Sequence, residues 1–265
     1  MNKTNLMRKD GKALVSLAKY FLGFDSGDKV DTIIYYSRIF ELSVGTVQKA
    51  LKKLEEFGAI NLKRKGHMGT YIETIDYATL IKIAGIESLV CVMPLPYSKR
   101  YEGLASGLKQ EFKSFVPLYF AHMRGADTRL AYLKKGVYDF AIVSKLAAKE
   151  YMKKNKELTI AFEFPKGSYV SGHGLIYKNS NIKTIGVDKS SLDQYFLTQS
   201  NFQNNENYNI VDVNYSETIE LIKNGHIDGA IWNIDVLDKI KDAGLQYQKL
   251  ANTPLNGWAT QAVLL

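Results

Sequence analysis

The sequence predicts a multi-domain α/β protein, and three observations carry that prediction. Apolar residues recur at helical spacing through residues 12–57 and then give way to a short alternating hairpin with a basic tip. From residue 88 strands and helices alternate, the pattern of a largely parallel sheet. That alternation occurs twice, and the halves echo one another: LAYLKKGVYDFAIVS and IELIKNGHIDGAIWN share the order amphipathic helix, glycine, aspartate, apolar strand. With 265 residues, 46% of them hydrophobic, the chain exceeds one small domain. The boundaries expected are 1–75 for the helical unit and its hairpin, 76–87 for a linker helix, and 88–265 for a two-lobed α/β domain.

In chain order, residues 12–22 form an amphipathic helix with Leu14, Leu17, Ala18 and Phe21 on one side, and residues 23–28 a turn-rich break. Thr32 caps a short helix over 33–40. Ser43 caps a third, in which Val47, Ala50, Leu51, Leu54 and Phe57 share one face and Gly58 marks the stop. Residues 59–62 alternate as a half-buried strand, the cluster Lys63, Arg64, Lys65, Gly66, His67, Met68, Gly69 forms a tip, and residues 70–72 return. Helix, helix, tight turn, helix and hairpin make a winged helix-turn-helix, in which each short helix needs the others to bury its apolar stripe. Thr46, Gln48, Lys49, Lys52 and Lys53 lie on the polar face of the third helix, placed to reach bases and phosphates in a major groove. The wing cations Lys63, Arg64 and Lys65, with His67, would lie on the flanking backbone. A net charge of +8 suits a polyanionic partner such as double-stranded DNA.

The runs GDKVDT, SRIFELSVGTVQKALKKLEEFGAI and GHMGTYI resemble the N-terminal domain of GntR-type transcription regulators. Matching positions include Gly27, Thr32, Ser43, Gly45, Thr46, Val47, Ala50, Leu51, Leu54, Gly58, Ile60, Gly69 and Thr70. The resemblance implies DNA contacts from Thr32, Ser43 and Thr46. It departs at Val44, where that family has an arginine, and at Thr32-Ile33-Ile34, where it opens its second helix with polar residues. DNA contacts are accordingly expected to shift toward Gln48, Lys49, Lys63, Arg64 and Lys65.

Residues 76–87 form a short apolar helix that either lies at a two-fold interface, as a regulator reading a palindrome requires, or packs on its own chain. Beyond it, strands at 88–95, 116–123 and 139–144 alternate with helices at 98–115 and 127–135. Strands at 184–188, 208–214 and 228–233 alternate with helices at 190–199 and 216–224. Residues 158–179 read as strands crossing between the two series. This organisation resembles a type II periplasmic-binding-protein fold.

Ligands of open α/β sheets bind outside strand carboxyl ends. That rule selects Pro94, Tyr97 and Ser98; Arg124 and Gly125; Ser144 and Lys145; Asp188, Ser190 and Ser191; Asn214 and Tyr215; and Trp232 and Asn233. Serines at helix N-termini and an arginine able to clamp an oxyanion point to a small anionic effector. The whole organisation resembles the YhfZ-type group of regulators, most closely in RGADTRLAYLKKGVYDFAIVSK and VSGHGLIYK.

The sequence therefore reads as a ligand-responsive DNA-binding regulator, a homodimer without cofactor or catalytic residues. The alternative is an enzyme with a two-lobed active-site cleft. His67, His122, His173 and His226 are not at metal-ligand spacing, so no metal is expected. Cys91 is expected to be a buried structural thiol. The amino-terminal segment lacks the apolar core of an export signal and no stretch is long enough to span a bilayer, so a cytoplasmic location without membrane contact is expected.

Overall fold

A computed structural model describes residues 9–96, 98–203 and 206–265. The chain divides into two compact units. One runs to Leu89 and takes in Glu111–Leu118; the other comprises Val90–Gln110 and Tyr119–Leu265.

In the first unit, α1 (Lys9–Phe21), α2 (Ile33–Ile39) and α3 (Val44–Glu56) surround a core of Leu17, Phe21, Tyr36, Val47, Leu54 and Ile60. Tyr36 is fully buried among the rings of Tyr20, Phe21 and Phe40, and its hydroxyl accepts a hydrogen bond from the Asp31 N–H at 3.2 Å. Between α2 and α3 the chain turns at Glu41, whose φ of 54° is left-handed, while the Ser37 hydroxyl donates to the Leu42 carbonyl at 2.5 Å. Both expected N-caps form: Thr32 Oγ1 accepts from the Tyr35 N–H and Ser43 Oγ from the Thr46 N–H, each at 3.2 Å.

The wing is a hairpin of β2 (Ile60–Arg64) and β3 (Thr70–Ile75), to which the two-residue β1 (Lys29–Val30) adds antiparallel to β3, an edge the sequence pattern does not announce. The apolar segment after residue 75 forms α4 (Tyr77–Ile83). Asp76 caps it, and Leu80 and Ala84 are buried in the same core as the three helices.

The second unit holds two five-stranded sheets. The first contains β4 (Leu89–Met93), β5 (Leu118–His122), β6 (Phe140–Ser144), β7 (Phe162–Glu163) and β13 (Ala262–Leu264) in the order β5-β4-β6-β13-β7. The second contains β8 (His173–Tyr177), β9 (Thr184–Val187), β10 (Asn209–Asp212), β11 (Gly229–Asn233) and β12 (Gln246–Lys249) in the order β10-β9-β11-β8-β12. Each sheet contains one strand antiparallel to both its neighbours: β13 between β6 and β7, and β8 between β11 and β12.

The internal echo has a physical cause. Asp139 accepts from the Val90 N–H at 2.8 Å and donates its own N–H to the Val90 carbonyl at 3.0 Å. Asp228 makes the same pair of bonds with Thr184, at 2.8 and 2.9 Å. The repeated aspartate thus ties the third strand of each half to the start of its first. Gly136 and Gly225, with φ of 69° and 73°, end α6 (Ala126–Lys134) and α9 (Thr218–Lys223) just before it.

Helices α5 (Lys99–Phe112) and α8 (Leu192–Phe202) fall close to expectation. Not expected were α7 (Lys145–Met152), which starts directly at the end of β6, and the elements after β11: α10 (Leu237–Asp242), β12, α11 (Pro254–Ala259) and β13. Cys91 is fully buried, and burial pushes its thiol up to about 12. Among the described residues no helix is long and apolar enough to cross a membrane.

Candidate functional site

The residues selected from sequence fall on two surfaces of the chain. On the first unit, α3 turns Val47, Ala50, Leu51 and Leu54 inward and leaves Ser43, Gln48, Lys49, Lys52 and Lys53 exposed, with Thr46 half-buried. Thr32 is exposed at the start of α2. The cap oxygens of Thr32 and Ser43 already accept backbone N–H groups; Thr32 keeps its hydroxyl proton to offer a phosphate, while the Ser43 and Thr46 hydroxyls share a hydrogen bond at 2.8 Å and have one proton between them to offer.

At the wing tip, Lys63, Arg64, Lys65 and His67 are all exposed. Lys63 pairs with Glu73 at 3.1 Å, and the Lys65 ammonium lies 4.7 Å from the centre of the Tyr71 ring. Lys52 reaches Glu56 at 3.6 Å. Arg64 has no ion pair among the described residues.

In the second unit a cavity of about 390 Å³ opens where the carboxyl ends of strands from both sheets converge. Pro94 and Leu95 follow β4, Arg124 and Gly125 follow β5, Asp188, Ser190 and Ser191 follow β9, Asn214 and Tyr215 follow β10, and Asn233 ends β11; all line it. The exits of β4 and β5 are held together by His122, whose Nδ1 lies 2.8 Å from the Pro94 carbonyl.

Two helices begin on the cavity wall without a side-chain cap. The N-cap of α6 is Gly125, in a left-handed conformation (φ 76°) where a Cβ would also meet Asp127 Oδ1 at 2.8 Å. The N-cap of α8 is Ser191, whose hydroxyl makes no capping bond. Their first-turn residues Ala126, Thr128, Leu192, Asp193 and Gln194 line the cavity, so unbonded N–H groups and two helix dipoles face it.

Four predicted residues stand outside the wall, each for a visible reason. Because α7 starts at once, Ser144 is fully buried as its N-cap, accepting from the Ala147 N–H at 3.0 Å and donating to Asp193 Oδ1 at 2.5 Å. Lys145 turns to Glu163 at 2.5 Å. Trp232 is buried behind Tyr215, with the two rings stacked at 3.9 Å, and so backs the wall rather than forming it. Ser98 does not line it either: its carbonyl accepts the Tyr101 N–H at the start of α5, and its hydroxyl is buried without a partner. Tyr97 lies outside the described residues.

The carboxylate of Asp188 is spent on the fold, Oδ1 accepting from the Ser190 N–H and hydroxyl and Oδ2 from the Tyr215 N–H at 3.0 Å.

The strand-end rule missed residues one turn into the helices and on the crossing segment. Arg129 is 3% exposed, yet lines the cavity; it donates to the carbonyls of Ile142 and Met123 and to the Tyr169 hydroxyl at 3.2, 2.7 and 3.1 Å. Tyr101 and Tyr169 complete that wall with their rings 5.2 Å apart, and burial raises both phenols above the usual range.

Asp193 lies deep among protein atoms, and that burial raises its carboxyl to about 7 against the pull of the Ser144 hydrogen bond and the Arg129 charge. His173 is 6% exposed, and burial lowers its imidazole to about 4, so it is neutral near pH 7; its Nδ1 has no partner. One signal was legible: Arg129 sits between Ala126 and Leu130 on the buried side of its helix, where a charge needs partners. Among the described residues no group of three His, Cys, Asp or Glu side chains is arranged to hold a metal ion.

A helix-turn-helix unit followed by a two-lobed binding-protein-like domain defines the class, that of DNA-binding regulators. Residues 25–72 match the family described as a helix-turn-helix domain, and residues 76–265 match the YhfZ C-terminal domain. The chain belongs to the YhfZ family. It is 40% identical to YhfZ of Escherichia coli (strain K12) over 266 residues, covering 99% of this chain and 87% of that protein. The crystal structure of YhfZ from Shigella flexneri is similar with a TM-score of 0.62 at 41% identity, over 71% of this chain and 82% of that one. The periplasmic aliphatic sulphonate binding protein SsuA from Escherichia coli is similar with a TM-score of 0.51 at 11% identity, over 67% of this chain and 64% of that one, a likeness of fold alone.

Proposed function

We propose that the chain is a cytoplasmic, ligand-responsive transcriptional regulator, acting as a homodimer on a palindromic operator. It senses a small metabolite through an anionic group bound in the cavity between the two sheets. The observation that carries the ligand reading is the pair of uncapped helix N-termini, α6 and α8, facing one cavity together with Arg124 and Arg129. Backbone N–H groups and dipoles so placed favour an anion over water, and the cavity volume falls within the roughly 300–1,000 Å³ of small-molecule sites.

Thr32, Ser43, Thr46, Gln48, Lys49, Lys52 and Lys53 form the proposed groove face, and Lys63, Arg64, Lys65 and His67 the proposed backbone contact of the wing. Ligand control follows if open and closed forms of the lobes favour different dimer geometries; the ligand must then bind them with different affinity.

The test is a binding titration over a salt series, with DNA upstream of the chain's own gene against random duplex of equal length. Selective binding, altered by cell extract small enough to dialyse, supports the reading. Equal weak binding to both at every salt concentration would reject the operator.

A further inference from the structure

The cavity wall carries charges of both signs. Arg124 and Arg129 stand on the side built by β5 and α6, Asp188 and Asp193 on the side built by β9 and α8. Among the described residues neither aspartate makes an ion pair with Arg129. Asp188 has both carboxylate oxygens occupied by Ser190 and Tyr215. Asp193 has only one, its Oδ1 taken by Ser144, and its second oxygen accepts no hydrogen bond among the described residues.

Arg129 spends three of its five N–H groups on Ile142, Met123 and Tyr169, which fix the plane of the guanidinium and leave two. The Arg129 charge acts on Asp193 without an ion pair between them, so a half-buried carboxyl with an open oxygen and a buried guanidinium with open N–H groups can each still take a direct partner of opposite sign. A simple anion answers only the second.

Taking the cavity as the effector site, we propose that its ligand is an amino acid, its carboxylate held by Arg129 and the N-terminus of α6 and its ammonium by the open oxygen of Asp193. The surrounding surface agrees. Tyr101, Tyr169 and Tyr215 line the same cavity, and their ring faces attract a cation. His173, neutral with an unpartnered Nδ1, adds a hydrogen-bonding atom on the wall without adding charge. The two anchors stand on opposite lobes, so one zwitterion would bridge them, whereas a ligand with a single charged group would engage one lobe through charge and the other through neutral contacts.

The experiment compares, on the full chain, the L- and D-forms of the protein amino acids with the same carbon skeletons lacking the α-amino group: propionate for alanine, succinate for aspartate, glutarate for glutamate, 3-phenylpropionate for phenylalanine. Thermal shift selects binders and calorimetry measures them. At least one amino acid is expected to bind about 100-fold more tightly than its deaminated counterpart, and Asp193→Asn, which keeps the oxygen that Ser144 needs, is expected to erase that difference.

If deaminated acids bind as tightly as their parents, the zwitterion is wrong while the anion-binding role of the cavity stands. If neither set binds, both fall. Retention of the hundredfold preference in a folded Asp193→Asn protein would remove Asp193 from the ammonium site, and should that variant fail to fold, the comparison on the unaltered chain still decides.

Discussion

At the scale of single residues the cavity carries two titrating groups of opposite sense. Asp193 is shifted up from its ordinary 3.8 to about 7, so the folded state holds its proton more tightly than the unfolded chain. Its contribution to stability is greatest below about pH 4 and is lost as pH rises through about 7. His173 is shifted down to about 4, so the unfolded chain binds the proton first and stability is lost as pH falls from about 6.5 toward 4. Asp193→Asn is therefore expected to stabilise the ligand-free protein at about pH 8, by up to about 4 kcal/mol, and to leave it unchanged at about pH 4. Urea unfolding at the two pH values checks this, and equal destabilisation at both would mean the carboxylate is simply a good partner for Ser144. Neither residue was selected from sequence, because a strand-end rule sees only the loop that leaves the strand. Arg129 and Asp193 project from the first turns of the helices that follow, and Ser144 drops out because α7 leaves no loop at all.

At the scale of elements, the N-terminal unit was legible because its signals are local: Thr32 and Ser43 as caps, Gly58 as a stop, and one continuous apolar stripe on α3. The strand β1 was not, since two residues carry no periodicity and pair only because β3 passes beside them. The wing stands out as a cluster of cations over which Tyr71 and Glu73 hold two of three partners. Replacing Lys63, Arg64 and Lys65 by alanine is expected to weaken binding to all duplexes alike and to flatten the logarithmic salt dependence by up to about 2–3 units. An unchanged slope would take the wing off the DNA. Gln48→Ala is expected to change the preference among sequences with little effect on the slope, and equal losses on operator and random duplex would place it outside the base-reading set. In the second unit the Gly-x-x-Asp repeat was visible as a pattern, but its meaning, a carboxylate tying two strands together at Val90 and again at Thr184, required the pairing.

At the scale of the whole chain, the α/β alternation announced two lobes and missed how they are closed. Residues 234–265 carry short, weakly patterned elements, and two of them, β12 and β13, become sheet strands only through partners distant in sequence. Because β13 returns from the second series to pair with β6, and Ser144 at the end of β6 bonds Asp193 on α8, the second unit is expected to unfold in one transition. Trp232 reports on the second sheet and Trp258, over which the Lys149 ammonium sits at 4.1 Å, reports on α7. Variants retaining one tryptophan each are expected to give coincident urea midpoints; separate midpoints would show lobes that unfold independently.

The placement of β13 also sets an order of assembly. Ala262 pairs with Ser144 across about 120 intervening residues, which a ribosome adding about 5–20 residues per second takes roughly 6–24 seconds to make. Throughout that interval the helix-turn-helix has all the chain it needs, while β6 presents an apolar strand edge with nothing beside it. A nascent chain thus passes through a stage with its helix-turn-helix complete and its two-sheet unit unfinished, the flank of β6 bare until the last residues arrive.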